Sequence, residues 1–383
     1  LGTNLPSLKN ASYKTTIIEY RMCTQAQRHQ GEVRISPLFI HWLLIQAKRV
    51  SADRPISHIY YNNLGLDRFG YDISGMKEKE LSLALHQLEK NPLLKIAVIT
   101  LPASKSLMNE YHYQLTDKNR SYFSVFNELL RVAEKEYHPS GVADFKISPK
   151  VRSLLFGSKT NQTKIITSLL QKSFAIMAIK PGELLSLAQK QAVWLHFTKF
   201  ELTNYIQKTI KPDSFNFSCK DAIDRGALSS VYYHLHNSFS TNQPINRDEF
   251  EKGLDIAAAN VKGRGMNFHR KIIWNVINTW VNAQYEQLIK DSRTCWLIDW
   301  RDINCPSSQI NKLLLLRSQQ FRQHLDLLPI EHTLIKEKGY KLCSIIQTQQ
   351  GKCQNNKHIL LEIISRSSKL LTYPNAIDNF KTY

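Results

Sequence analysis

The chain has 383 residues, of which 42% are hydrophobic and 10% aromatic, and this supply of core-forming residues excludes a disordered protein. Lysine and arginine total 51 against 32 acidic residues, a formal net charge of +19, which favours a polyanionic partner such as nucleic acid or an anionic membrane surface. The longest apolar runs, Ile96–Leu101 and Leu313–Leu316, are far shorter than the roughly 18 residues that predict a transmembrane helix.

The first residues of the sequence do not predict a signal peptide. Residues Leu1–Ala11 lack the basic, apolar and small-residue pattern of a signal peptide. Because the chain begins at Leu1 rather than at methionine, we expect a fragment of a longer protein.

The cysteine pattern predicts isolated thiols in a reducing compartment rather than disulfides. Pro306 and Gly351 stand beside two of the cysteines and disfavour the paired helices of a disulfide-linked hairpin. No spacing of cysteine and histidine indicates zinc, so we expect neither a metal nor another cofactor. The six cysteines are Cys23, Cys219, Cys295, Cys305, Cys343 and Cys353.

The first part of the chain predicts a β-α-β unit. Ile56–Tyr61 is rich in strand-forming residues, and Lys95–Leu101 is a nearly continuous apolar run typical of a buried parallel strand. Between them, Met76–Lys90 has apolar residues at helical spacing and is followed by Asn91-Pro92, which ends a helix.

The following segments predict a helix, an inserted subdomain and a second, long helix. Phe123–Tyr137 is amphipathic and is followed by turn-forming residues. Residues 138–183 combine turn sequences with a short apolar segment and are interpreted as an inserted subdomain. Leu184–Ile210 predicts a long helix that ends before Lys211-Pro212.

A strand, a compact loop and a helix follow in Phe215–Ser218, Cys219–Arg225 and Ala227–His236. The chain therefore predicts an α/β fold whose last part is helical. Three further helices are predicted, Trp274–Ile289, Gln309–Leu328 and His358–Leu371. We divide the chain into the N-terminal part of a catalytic domain (1–137), the possible insertion (138–183), a catalytic core (184–300) and a helical C-terminal region (301–383).

The segment Cys219–Arg225 has the C-x5-R spacing of cysteine phosphatases. Five intervening residues allow the backbone N–H groups to curl around a phosphate, with the thiolate as nucleophile and the guanidinium binding two oxygens. The positive end of the next helix points at the same place, which lowers the expected pKa of the thiol.

A second segment, Cys295–Arg301, has the same spacing, so the spacing alone does not identify the site. Its intervening residues include two tryptophans, which leave little room for a tight anion-binding loop. We therefore interpret Cys295 as a buried structural thiol and Cys219 as the nucleophile.

The first loop reads C-x-D-x-x-D-R, and through Asp221, Ile223, Asp224 and Arg225 it resembles the loops of myotubularin and Sac-type lipid phosphatases. Lys220 is similar to the residue after the cysteine in inositide 4-phosphatase loops. With its basic composition, the chain most resembles the SidP-type phosphoinositide 3-phosphatase effectors of Legionella.

This resemblance implies a cysteine-phosphatase-like central sheet flanked by helices. It also implies a bacterial effector that is secreted into the host cytoplasm and acts at membrane surfaces. The expected substrates are phosphatidylinositol 3-phosphate and phosphatidylinositol 3,5-bisphosphate. The loop departs from the family at Ala222, where glycine is usual, so we expect a backbone that avoids the left-handed conformation. It also departs at Gly226, where Ser or Thr is usual; Ser229 or Ser230 are candidates to replace that hydroxyl.

The expected catalytic residues are Cys219 as nucleophile, Arg225 as phosphate ligand, and Asp224, or else Asp221, as general acid. Asp67 and Asp117 are the alternatives if neither loop aspartate serves. A cation-rich stretch without acidic residues lies farther along the chain and is equally compatible with a solvated surface and with the binding of further phosphates. The expected substrate-binding residues are Lys220, Ala222, Ile223, Gly226, Lys262 and Arg264.

Other functions remain open at this stage. A protein phosphatase would use the same chemistry, and a catalytically inactive loop would make a module that only binds phosphoinositide. A nucleic-acid-binding protein would explain the net charge, but no helix-turn-helix, zinc or RNA-binding aromatic motif supports it.

Overall fold

The computed structural model describes residues 9–10, 17–51, 53–66, 73–101, 119–135, 145–220, 222–262, 269–348 and 357–372. The chain divides into two compact units, Leu1–Val276 and Ile277–Tyr383. The first unit contains a sheet and helices, as the α/β prediction requires, and the described part of the second unit is helical.

Nine strands lie in the described part of the first unit, most of them short. In chain order they are β1 (Lys9–Asn10), β2 (Ile18–Arg21), β3 (Ala26–His29), β4 (Glu32–Ile35), β5 (His58–Asn62), β6 (Ile96–Thr100), β7 (Arg120–Ser121), β8 (Leu184–Leu185) and β9 (Ser214–Ser218).

The helices make up most of the chain. They are α1 (Pro37–Lys48), α2 (Ile73–Gln87), α3 (Tyr122–Glu134), α4 (Pro149–Phe156), α5 (Lys159–Ile176), α6 (Leu187–His196), α7 (Leu202–Ile210), α8 (Arg225–Ser240), α9 (Arg247–Lys262), α10 (His269–Leu288), α11 (Trp296–Asn304), α12 (Pro306–Asp326), α13 (Thr333–Thr348) and α14 (Lys357–Thr372). The 3-10 helices are Leu88–Lys90, Pro92–Leu94 and Ile330–His332.

The main sheet has the strand order β1-β2-β9-β5-β6. Strands β2, β9, β5 and β6 are parallel, and β1 pairs with β2 in the antiparallel direction. The predicted β-α-β unit is confirmed, since β5 and β6 are parallel neighbours joined through α2. The last strand in the sequence, β9, lies between the first two parallel strands, and this places its carboxyl end at the middle of the sheet.

Helices cover both faces of this sheet. On one face Tyr60 packs against Phe39 of α1, in a buried cluster that also contains Leu85 of α2. On the other face Phe217 packs against Tyr61 of the neighbouring strand and Tyr233 of α8. Burial of both faces explains why these strands lack the alternation of apolar and polar residues seen in half-exposed sheets.

The predicted long helix Leu184–Ile210 begins three residues later, at Leu187, because Ser186 and Gln189 form a capping box there. A π-helical turn, Phe197–Glu201, joins α6 to α7. Helix α7 ends at Ile210, before Lys211-Pro212, as the sequence predicted, and the backbone of Lys211 is left-handed. Residues 138–183 include α4 and α5, and their role as an inserted subdomain stays a prediction.

The second compact unit begins within α10, at Ile277, and a separate helical C-terminal region from residue 301 stays a prediction. Helices α12, α13 and α14 pack around a small apolar core that includes Phe321, Leu325 and Ile364. Pro306 is the first residue of α12, a position where proline is tolerated in a helix. The described cysteines are free thiols, and Cys353 lies outside the described residues.

Candidate active site

The loop with the C-x5-R sequence lies at the carboxyl end of the central strand. Strand β9 ends at Ser218 and helix α8 begins at Arg225, so Cys219–Asp224 connect a buried strand to the amino end of a 16-residue helix. In open parallel sheets, ligands bind outside the carboxyl ends of the strands, where the strand order changes direction. The loop therefore occupies the position in this fold where an anion meets the positive end of a helix.

The backbone of the loop turns into the left-handed region at Ala222, whose φ is 54°. The expectation that alanine would exclude this conformation is therefore wrong. A left-handed alanine costs about 1–2 kcal/mol, which the loop must recover from its other contacts. Among the described residues, the backbone N–H groups of Lys220 and Ile223 have no hydrogen-bond acceptor, as expected for a loop that binds an anion.

Cys219 is fully buried at the base of this loop. Its Sγ lies 3.4 Å from Oδ1 of Asp224 and accepts a 3.4 Å hydrogen bond from the backbone N–H of Gly226. Burial, followed by the negative charge of Asp224, raises the pKa of the thiol to about 11, although Arg225 and the Gly226 N–H act in the opposite direction. The expected lowering of the thiol pKa is therefore wrong for the protein without a bound anion, in which Cys219 is a thiol that donates to Asp224.

Arg225 is held by Glu78, a residue that the sequence analysis did not select. The guanidinium donates two hydrogen bonds to the Glu78 carboxylate, of 2.9 Å from Nη1 and 2.7 Å from Nη2. Glu78 Oε2 also accepts a 3.3 Å bond from the backbone N–H of Gly65. Burial lowers the pKa of Arg225, but Glu78 reverses the shift and raises that pKa overall. The guanidinium is thus permanently charged and fixed in orientation.

Gly226 is required by the packing of α8 on β9. A Cβ atom at this position would lie 2.9 Å from the backbone carbonyl oxygen of Phe217, which explains why neither Ser nor Thr follows the arginine here. The hydroxyls proposed as replacements are engaged elsewhere: Ser229 donates to the Arg225 carbonyl oxygen and Ser230 to Glu19. The backbone N–H of Gly226 is the group that contacts the sulfur instead.

Other predicted substrate-binding residues differ in accessibility. Lys220 is exposed, whereas Ile223 is 1% exposed and belongs to the core, and contact of either residue with substrate stays a prediction. Lys262 is the last residue of α9, and its side chain is not among those described. Asp221, Arg264, Asp67 and Asp117 lie outside the described residues.

The second C-x5-R segment does not form a loop. Its residues after Cys295 belong to α11, and Arg301 is buried and donates to Asn282 and Asp302. Cys295 is partly exposed and donates to the carbonyl oxygen of Ser292, so its predicted burial is wrong. Its rejection as a nucleophile agrees with this geometry, because a helix cannot curl successive N–H groups around a phosphate.

Comparison of the chain with protein-family models, with curated proteins and with solved structures found no match. The geometry of Cys219, Asp224, Arg225, Gly226 and Glu78 is therefore the basis for any functional assignment. Within the described ranges, no group of three or more His, Cys, Asp and Glu side chains is placed to hold a metal ion. Over the same residues, the helices that are long enough to cross a bilayer are not apolar enough to do so.

Proposed function

We propose that the chain is a cysteine-dependent phosphoinositide phosphatase with a cysteine-phosphatase-like arrangement of sheet and loop. The observation that carries the proposal is the loop between β9 and α8, which has Cys219 at one end and Arg225 at the other. The left-handed turn at Ala222 curls the loop, and a parallel sheet positions it at the amino end of a helix. These features support the proposal that the loop binds a phosphate and that Cys219 Sγ attacks the phosphorus atom.

The proposed reaction has two steps. Cys219 Sγ attacks phosphorus, and the bond from phosphorus to the inositol oxygen breaks as the phospho-cysteine forms. Asp224 Oδ1 lies 3.4 Å from Sγ, so its carboxylate can accept the thiol proton. In the proposed role, the protonated Asp224 then supplies a proton to the leaving oxygen. The same carboxylate then removes a proton from the water that hydrolyses the phospho-cysteine, while Arg225 and the loop N–H groups stabilise the charge on the oxygens.

The proposed substrates carry a 3-phosphate, namely phosphatidylinositol 3-phosphate and phosphatidylinositol 3,5-bisphosphate. Support comes from the resemblance of the loop and from the net charge of +19, which attracts an anionic membrane surface. In the proposed role, Lys262 or Arg264 contacts the 5-phosphate of the bisphosphate. A secreted effector acting on host membranes is the cellular setting that the resemblance implies.

Phosphate release from vesicles containing each of the seven phosphoinositides tests this function. The 3-phosphate and 3,5-bisphosphate forms should react fastest, and Cys219→Ser and Arg225→Lys should lose nearly all activity. Arg225→Lys is informative because a point ammonium cannot replace the bidentate guanidinium. Cys295→Ser is the matched control and should keep most activity. Preferred hydrolysis of the 4,5-bisphosphate would contradict the specificity, and activity that depends on Cys295 would contradict the site.

One observation favours a second candidate, a module that binds phosphoinositide without hydrolysing it. The pKa of the Cys219 thiol, raised to about 11, leaves little thiolate at neutral pH unless substrate or Asp224 removes the proton. Binding to 3-phosphoinositide vesicles with no phosphate release by the unmodified chain would favour this module over the enzyme. A protein phosphatase would instead release phosphate from phosphopeptides faster than from lipid.

A further inference from the structure

Lys199 is a buried amine at the carboxyl edge of the sheet, beside the phosphatase-like loop. It lies in the π-helical turn Phe197–Glu201 and is 1% exposed. Its Nζ donates a 2.6 Å hydrogen bond to Asn63 Oδ1 and a second bond to the carbonyl oxygen of Leu101. Those two residues directly follow β5 and β6, so the lysine connects the ends of two strands. Single π-helical turns inside helices often occur at functional sites.

Hydrogen bonds link Lys199 to both ends of the loop. The backbone N–H of Asn63 donates 2.9 Å to the carbonyl oxygen of Ser218, the residue before the nucleophile. Ser229 Oγ lies 3.2 Å from Asn63 Oδ1 and 2.8 Å from the carbonyl oxygen of Arg225, so its one hydroxyl hydrogen is shared between these two acceptors. Asn63 therefore contacts both the lysine and the loop.

A positive charge on Lys199 would not be balanced by the described part of the protein. Buried ammonium groups are normally paired with carboxylates, yet Lys199 has no carboxylate partner among the described residues. Burial lowers the pKa of Lys199 well below its usual value, and the positive charge of Arg225 lowers it further. Glu201, on the same turn, faces His196 instead. The other buried titratable groups on the helices packed against the turn are Lys190, His196, Tyr232, Tyr233, His234 and His236.

We propose that Lys199 is a positioning residue that takes up a proton when an oxyanion occupies the Cys219–Arg225 loop, and that its charge then strengthens the binding of that oxyanion through Asn63. The proton comes from solvent. An anion in the loop supplies the negative charge that the buried lysine lacks, so anion binding and protonation favour one another. The inference rests on the proposed function to the extent that the loop must bind an oxyanion.

Calorimetry of sulfate binding to the Cys219→Ser chain tests the proposal, because sulfate and serine do not titrate near neutral pH. Titrations at about pH 7 to 9, in buffers of different ionisation enthalpy, measure the number of protons taken up. We expect a net uptake of up to one proton per sulfate in Cys219→Ser. Adding Lys199→Met should remove that uptake and weaken sulfate binding about tenfold. The unliganded protein should meanwhile keep or increase its melting temperature, because a buried amine that is neutral in that state has been replaced by an apolar side chain of similar length.

Two further variants keep the test decisive. Lys199→Gln retains a donor for Asn63 without a titratable charge, and it should also lose proton uptake if the methionine variant fails to fold. Lys190→Met removes another fully buried lysine, on α6, and should leave proton uptake unchanged. Equal uptake with and without Lys199 would overturn this inference and leave the phosphatase proposal standing. Failure of Cys219→Ser to bind sulfate at any pH would overturn both.

Discussion

Replacing Glu78 with glutamine tests whether the orientation of Arg225 matters for the proposed reaction. The two hydrogen bonds from the guanidinium to the Glu78 carboxylate are 2.7 and 2.9 Å long. The side chain of Glu78 is 24% exposed and that of Arg225 is 11% exposed. Glutamine has the same shape and keeps one acceptor, but it loses the charge and the second acceptor. A hydrogen bond to a charged group contributes about 1.5–3 kcal/mol. If the transition state requires the fixed guanidinium, kcat/KM should fall by about ten- to 150-fold.

Initial rates of phosphate release from vesicles of phosphatidylinositol 3-phosphate provide the assay. The matched control is Glu80→Gln, two residues farther along the same helix, which removes an ion pair with Arg28. That pair is largely at the surface, where ion pairs contribute about 0–1 kcal/mol, and Glu80→Gln should change the rate less than threefold. Equal rates for the two variants, or a faster Glu78→Gln, would refute the view that Glu78 holds Arg225 in its active orientation.

The remaining predictions concern the loop. Asp224→Asn removes a negative charge beside Cys219, so the pKa of the thiol should fall from about 11 and iodoacetamide should alkylate it faster, while phosphate release slows by about 10²–10⁴. If alkylation and phosphate release both become faster, Asp224 is not the general acid. Gly226→Ala places a Cβ against the Phe217 carbonyl oxygen and should lower the free energy of unfolding by about 1–3 kcal/mol, measured as a melting temperature lower by several degrees. An unchanged melting temperature would show that α8 shifts freely. Ala222→Val should lose at least about 90% of activity because β-branched residues rarely adopt positive φ, whereas Ala222→Gly should remain active. A valine variant more active than the glycine variant would exclude the left-handed turn.

The main elements of the fold were predictable because their signals are local. A segment rich in strand-forming residues identified β5, a nearly continuous apolar run identified β6, and helical spacing between them identified α2. The short strand β9 followed from its position before a compact loop and a helix. The sequence did not reveal the π-helical turn between α6 and α7, since its residues continue an ordinary helical pattern.

The site was predictable only where its residues are neighbours in sequence. Cys219 and Arg225 belong to one motif, but Glu78 lies on a helix rich in charged residues, and nothing local distinguishes it from Glu80. The raised pKa of Cys219 depends on burial and on Asp224, which spacing does not reveal. The left-handed backbone at Ala222 was missed because propensity favours glycine there, whereas the tertiary contacts of the loop decide the conformation.

Detection of the phospho-cysteine is the most direct test of the central claim that Cys219 is the nucleophile. The chain is mixed with phosphatidylinositol 3-phosphate vesicles, quenched in acid within milliseconds to seconds, digested, and analysed by mass spectrometry. We expect phosphate on the peptide that contains Cys219, formed and lost in step with turnover, and an unmodified peptide containing Cys295. Turnover that continues in Cys219→Ser, or phosphate release without modification of Cys219 at any quench time, would contradict the account.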